Sequence, residues 1–136
     1  MTAPDITLQS LIEAALRVRE NAYAPYSGYG VGAALITPDG QTFTGCNVEN
    51  ASYPAGICGE RAALVSAVSD GVQTFDTIVI ATQNGGSPCG ICRQMLFEFA
   101  PELRVVCVDA GGTIVIDSPL HELLPHGFGP HSLPRE

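Results

Sequence analysis

The chain contains no lysine. Schiff-base catalysis, which needs a lysine amine, is therefore excluded. Positive charge of any kind is scarce: six arginines stand against 14 acidic residues, for a net charge of −8. A surface this acidic repels phosphate backbones, so a nucleic-acid polymer is not expected as a partner. The expected substrate is instead a small, nearly neutral molecule. No apolar run approaches the roughly 20 residues that cross a bilayer, so no membrane partner is expected. No basic stretch followed by an apolar one opens the sequence, so no signal peptide is expected and the expected location is cytoplasmic. Repeats, low-complexity tracts and linker-like segments are also missing. What remains is 136 residues, 46% of them hydrophobic. That is enough to bury a core, and residues 1–136 are expected to form one domain.

Five cysteines are present, an odd count, and two of them have Cys-x-x-Cys spacing. In a reducing compartment this favours metal binding over disulfides. The cysteines that matter lie in two blocks, Cys58-Gly59-Glu60-Arg61 and Pro88-Cys89-Gly90-Ile91-Cys92. Three thiolates can hold Zn²⁺ on three corners of a tetrahedron. A fourth corner left for water makes such a site catalytic instead of structural. Glu60, beside that water but off the metal, can move its proton. Three thiolates leave the site with a formal charge of −1, so something must draw charge from the sulfurs. Helix N-termini, with roughly half a positive charge each, can do this. So can Arg61, one helical turn after Cys58, or Arg93, directly after Cys92, by donating to a thiolate. In a regular helix Cys58 and Glu60 would point about 200° apart. Both can face one site only if Cys58 lies where the helix has not yet become regular.

Two other readings compete. A structural zinc site would need a fourth protein ligand, from Cys46, Cys107 or one of His121, His126 and His131. A redox dithiol at Cys89 and Cys92 would leave Cys58 and Glu60 without a role. Cys46 and Cys107 fall in strand patterns and are expected to fill core space.

Apolar spacing predicts a helix from a cap at Thr7 to about Ala22, with Leu8, Leu11, Ile12, Ala15, Val18 and Ala22 on one face. Val31 to Thr37 and Gln41 to Cys46 flank the turn signal Pro38-Asp39-Gly40 and read as a hairpin. A loop covers 47–56, and a second helix runs from Cys58 to about Ser69. Phe75 to Thr82 reads as a strand and Cys89 to Phe99 as a third helix. Leu103 to Val108 and Thr113 to Ile116 read as strands, and Pro119 to Leu124 as a short helix. The order implies an α/β fold: a mixed sheet of about five strands with helices on both faces, in three layers. Asn47 and Glu49, two apart at a strand end, are suited to bonding sugar hydroxyls. Tyr29 and Phe128 sit in glycine-containing loops and can stack on a flat base.

The cysteine and glutamate spacing is an established mark of zinc-dependent nucleobase deaminases. Beyond it, Tyr23-Ala24-Pro25-Tyr26-Ser27, Val31 to Leu35, Gly45 to Tyr53, the Arg93-Gln94 that follows Cys92, and Leu123-Leu124-Pro125 with Phe128 make the chain resemble the small, homotetrameric cytidine deaminases. The resemblance runs from the first helix to Phe128. It implies hydrolytic deamination of cytidine and 2′-deoxycytidine in pyrimidine salvage, with one Zn²⁺ per subunit on Cys58, Cys89 and Cys92. It makes Glu60 the proton shuttle and Arg61 a donor to the thiolates. Asn47 and Glu49 would hold the ribose, and the Gly59 carbonyl would lie near the base. Tyr29 takes the place of a usual phenylalanine, and Gly30 that of a usual proline. The resemblance also implies a homotetramer with sites at subunit contacts, where Tyr53 and Phe128 reach into a neighbour's site. Deamination of another aminated heterocycle, as in the blasticidin S deaminases, is the nearest alternative.

Overall fold

A computed structural model describes residues 3–134, with side chains from residue 8 onward. Five strands form one mixed sheet in the order β2-β1-β3-β4-β5. β1 (Gly32–Ile36) and β2 (Thr42–Cys46) are the expected hairpin, and they pair antiparallel from Gly32↔Cys46 to Ile36↔Thr42. β1 also pairs antiparallel with β3 (Thr77–Ala81). β3 runs parallel to β4 (Arg104–Val108), and β5 (Ile114–Pro119) closes the far edge antiparallel to β4.

The three inner strands are buried on both faces, which is why they read as continuous apolar runs instead of alternating ones. Their side chains still alternate. Leu35, Ile78, Ile80, Val105 and Cys107 enter the larger core, under α2 (Gly59–Ser69), α3 (Gly90–Phe99) and α4 (Leu120–Leu123). Ala34, Ile36, Val79, Val106 and Val108 turn the other way, to meet α1 (Ala3–Arg19). The three layers are those expected from the order of elements.

Three boundaries differ from expectation by three residues or more. α1 begins at Ala3, so the backbone of Thr7 lies inside the helix instead of just before it. It ends at Arg19 instead of about Ala22. Glu20, Asn21 and Ala22 donate to carbonyls three residues back, the tightened turn of a helix end. Tyr23 then leaves to bond Asn47 O through its N–H, at 3.0 Å. Tertiary pairing thus overrides the apolar period that pointed on to Ala22. β5 extends to Pro119, three residues beyond Ile116. As an edge strand it tolerates polar residues and a proline, which hid its end in the sequence. The segment after Leu124 is also more ordered than its Pro/Gly content suggests. Gln94 Nε2 donates to Phe128 O at 2.7 Å, and a short 3₁₀ turn spans Pro130–Ser132.

One glycine decides how closely the outer layer packs. A Cβ on Gly32 would lie 2.2 Å from the Ala15 carbonyl oxygen and 2.6 Å from Arg19 N. Both are helix backbone, so the helix as a whole would have to move. Gly32→Ala is therefore expected to cost about 1–3 kcal/mol, read as a lower urea midpoint. An unchanged midpoint would mean that α1 is loosely held.

Candidate metal centre

α2 and α3 lie on the same face of the sheet and pack against each other. Each is preceded by a cysteine in extended backbone. Cys58 has φ −79° and ψ 154°, and Cys89 has φ −65° and ψ 166°. The helices begin only at Gly59 and Gly90. Cys58 and Glu60 can thus face one site, for the reason the sequence required: the residue before the helix is not wound with it.

The two blocks meet. Cys58 Sγ lies 3.9 Å from Cys89 Sγ, and Cys89 Sγ lies 3.3 Å from Cys92 Sγ. All three sulfurs are within 4.8 Å of one another. A tetrahedral ion with Zn–S bonds of about 2.3 Å needs its sulfurs about 3.8 Å apart. The Cys58–Cys89 spacing already meets this, and Cys89 needs to move by about half an ångström from Cys92. Among the described residues this cluster has three members. Cys46 is half-buried on β2 and Cys107 is buried under α2 and α3, both outside the cluster. His121 pairs with Glu102 at 3.6 Å and His131 faces the Phe97 ring, so neither supplies the fourth ligand of a structural site.

The local charges favour a thiolate at Cys58. The Cys58 thiol is held down to about 5, first by a hydrogen bond from Cys92 and then by the Arg61 guanidinium. Arg61 Nη2 donates to Cys58 Sγ at 3.3 Å. Cys92, the other partner in that shared proton, is pushed up by the Cys58 contact and by burial. Arg93, the other candidate donor, is engaged elsewhere. Its guanidinium binds Pro88 O at 2.8 Å, Leu123 O at 3.0 Å and Ser87 Oγ at 2.9 Å. Directly after Cys92 on the helix, it points along the Pro88 loop and braces the approach to Cys89.

Glu60 is only 4% exposed, and its Oε1 has no hydrogen-bond partner. Burial, reinforced by the Cys58 thiolate, holds its carboxyl above the usual carboxylate range. An unpartnered buried carboxyl oxygen is costly and demands a ligand or a role. Glu60 opens onto a cavity of about 320 Å³, with Cys58, Cys89, Tyr29, Asn47 and Glu49 also on its walls. This is the small end of the range for ligand sites, about 300–1,000 Å³.

Asn47 and Glu49 line that cavity but are not idle there. Asn47 Oδ1 accepts from Val31 N at 2.8 Å, and its Nδ2 donates to Tyr29 O at 2.9 Å. Glu49 Oε1 accepts from Tyr26 N and Ser27 N at 2.9 and 3.1 Å, and Oε2 accepts from the Ser27 hydroxyl. These bonds pull the Glu49 carboxyl below its usual range, the Ser27 hydroxyl most of all. Each side chain keeps spare capacity: one N–H and one lone pair on Asn47, and one lone pair on Glu49 Oε2. Sequence reasoning missed Ser27 and Thr82 on the cavity wall. Their only signal was a place at a strand end or in a glycine-bearing loop.

Gly59 is buried beside this wall, where an added Cβ would meet Val31 O at 3.0 Å. Tyr53 and Phe128 are 75% and 59% exposed. Neither lines the cavity around the sulfurs in its own chain. Tyr53 stands on a neighbouring hollow of about 380 Å³ that shares Ser27 and Glu49 with the cavity, its ring edge-on to Tyr26 with centroids 6.0 Å apart.

A family model described as the cytidine and deoxycytidylate deaminase zinc-binding region matches residues 6–108. A cytidine deaminase of Sporosarcina psychrophila is 40% identical over 129 residues, 93% of this chain and 94% of its own. A cytidine deaminase of Mycobacterium tuberculosis is 37% identical over 98% of each chain. Among solved structures, a cytidine deaminase from Burkholderia pseudomallei superposes with a TM-score of 0.84 at 44% identity, covering 94% of this chain and all of the other.

Proposed function

The chain belongs to the cytidine and deoxycytidylate deaminase family, and from that membership we propose that it converts cytidine and 2′-deoxycytidine to uridine and 2′-deoxyuridine by zinc-dependent hydrolytic deamination. The observation that carries this reading is a cluster of three thiols, two of them on a small cavity that a buried carboxyl with one unpartnered oxygen and two partly engaged polar side chains also line. The proposal treats residues 1–136 as one catalytic domain, acting in the cytoplasm in pyrimidine salvage.

Cys58, Cys89 and Cys92 would hold the ion, which when bound supplies the Lewis acidity that makes a water acidic near neutral pH. Glu60 takes a proton from the attacking water and delivers it to ring nitrogen N3, which makes C4 electrophilic. After attack at C4, Glu60 carries the second proton to the exocyclic amino group, which leaves as ammonia. One carboxyl serves as base and then as acid, so a proton affinity raised by burial suits it to both steps. Arg61 offsets the surplus negative charge of three thiolates. The Gly59 carbonyl is assigned to the base. Asn47 and Glu49 offer a donor and acceptors two residues apart, a match for sugar hydroxyls. That pair favours a ribose-type sugar, and so cytidine over blasticidin S. A panel of cytidine, deoxycytidine, adenosine, guanine and blasticidin S, followed by ammonia release with and without a zinc chelator, tests the reading. Release from cytidine that the chelator abolishes is expected, and no release from either cytidine nucleoside would overturn it.

Glu49→Ala is expected to raise KM for cytidine roughly 10- to 150-fold, the range of charge-assisted hydrogen bonds, with zinc content unchanged. Parallel loss of zinc and affinity would make Glu49 a support of the fold alone.

Phe128 and Tyr53 expose large aromatic surfaces that their own chain does not use. We assign both to the site of a neighbouring subunit in a homotetramer, where Phe128 closes over the base. Cutting the chain after Leu124 should then abolish most activity and leave zinc bound. Mixing Glu60→Gln protein with Phe128→Ala protein, under conditions that exchange subunits, should restore some activity. No recovery, with exchange verified by native mass spectrometry, would place Phe128 in its own chain's site or core.

A further inference from the structure

Tyr29 and the loop after β3 approach the cavity from different walls. The Tyr29 hydroxyl donates to Asn84 Oδ1 at 2.7 Å, across 55 positions of sequence. Behind Asn84 the loop is gathered on one buried side chain. Thr82 Oγ1 accepts from Gly85 N at 2.8 Å and Gly86 N at 3.1 Å, and it lies 3.5 Å from Asn84 Oδ1. Three residues past Gly86 the chain reaches Cys89. On the other side, Tyr29 N donates to Ser27 Oγ at 3.0 Å, and the Ser27 hydroxyl is bonded to Glu49. One line of bonds therefore runs from the carboxylate assigned to the sugar to the loop that delivers a metal ligand.

Gly86 leaves the space this arrangement needs. A Cβ there would stand 2.9 Å from the Tyr29 hydroxyl and 3.4 Å from Asn84 Oδ1. A side chain at 86 and a hydroxyl on residue 29 thus compete for the same volume.

We propose that the Tyr29 hydroxyl and Asn84 form a clasp that closes one wall of the substrate cavity, with Gly86 as its clearance, and that Asn84 is a positioning residue for substrate affinity. The proposal rests on the cytidine reading above. Asn84 itself does not line the cavity and acts through Tyr29. With the clasp made, the Tyr29 ring and the 84–88 loop are ordered before substrate arrives. With it broken, ordering them subtracts from binding. The proton transfers of Glu60 are made elsewhere on the cavity and are unaffected.

Tyr29→Phe and Asn84→Leu are each expected to raise KM for cytidine roughly three- to tenfold, the range of one net hydrogen bond. kcat should stay within roughly twofold of native. Asn84→Asp keeps the accepting oxygen and should hold KM near native. The double variant Tyr29→Phe/Asn84→Leu should be no worse than the worse single one, because both remove the same bond. Gly86→Ala should raise KM in the native background and be relieved by Tyr29→Phe. In zinc-loaded protein without substrate, amide exchange over residues 82–88 should quicken roughly three- to tenfold in both single variants, read by mass spectrometry. Additive KM effects, a fall in kcat that matches the rise in KM, failure of Tyr29→Phe to relieve Gly86→Ala, or unchanged exchange would each overturn the clasp. A native protein that releases no ammonia from cytidine, yet shows the expected exchange pattern, would uphold the clasp and overturn the cytidine reading.

Discussion

Glu60→Gln should retain its zinc and turn over cytidine at least roughly 10²–10⁴-fold more slowly than the native chain. The substitution keeps the shape and a hydrogen-bonding end but cannot carry a proton between water, N3 and the leaving amino group. Glu60 is 4% exposed, so little solvent is at hand to take over its role. The fold should not suffer. A buried carboxyl with an unpartnered oxygen is a burden to stability, and an amide is less so. The unfolding midpoint is therefore expected to hold or rise while the rate collapses. Elemental analysis of zinc, a denaturant curve and the change in cytidine absorbance together check this. Near-native turnover would remove Glu60 from the mechanism.

Replacing any one thiol of the cluster should abolish both zinc binding and activity. Two thiolates do not make a stable catalytic site where three protein ligands are the rule. Cys58→Ala also strands the Arg61 guanidinium, which donates to that sulfur at 3.3 Å. The two remaining cysteines are the controls. Cys107→Ala should keep its zinc and lose about 1–2 kcal/mol, because Cys107 is buried in the larger core and leaves a small void. Cys46→Ala should keep its zinc with a smaller loss, since Cys46 is half-buried. Zinc lost in Cys46→Ala would mean a fourth thiolate and a structural site.

The arginines show where one-dimensional reasoning reaches its limit. Both stand next to the cysteine blocks, and both were candidates to bond a thiolate. Arg61 lies one helical turn after Cys58, and a helix fixes that geometry from spacing alone. Arg93 is adjacent in sequence to Cys92, so it projects from a different side of α3. There it meets Pro88, Leu123 and Ser87, partners up to 30 positions away. Asn47 and Glu49 make a similar point. Their side-chain chemistry suggested a sugar, and the structure adds that they first hold the Tyr26–Val31 loop in place.

Residue identity and short-range spacing determined the three thiols, the carboxyl within the first block, and the need for Cys58 to stand where its helix is not yet regular. They also determined most strands and helices, because period and turn signals act within a few residues. Tertiary structure decided what local rules cannot reach. The strand order sets β3 beside β1, and α2 and α3 on one face, so that two blocks 31 positions apart bring their sulfurs within 4.8 Å. It ended α1 by pulling Tyr23 into a bond with Asn47. It also brought the Tyr29 hydroxyl to Asn84. Contacts between distant segments depend on which way each strand faces and how closely helices can approach it, and that is settled only when the whole sheet is packed.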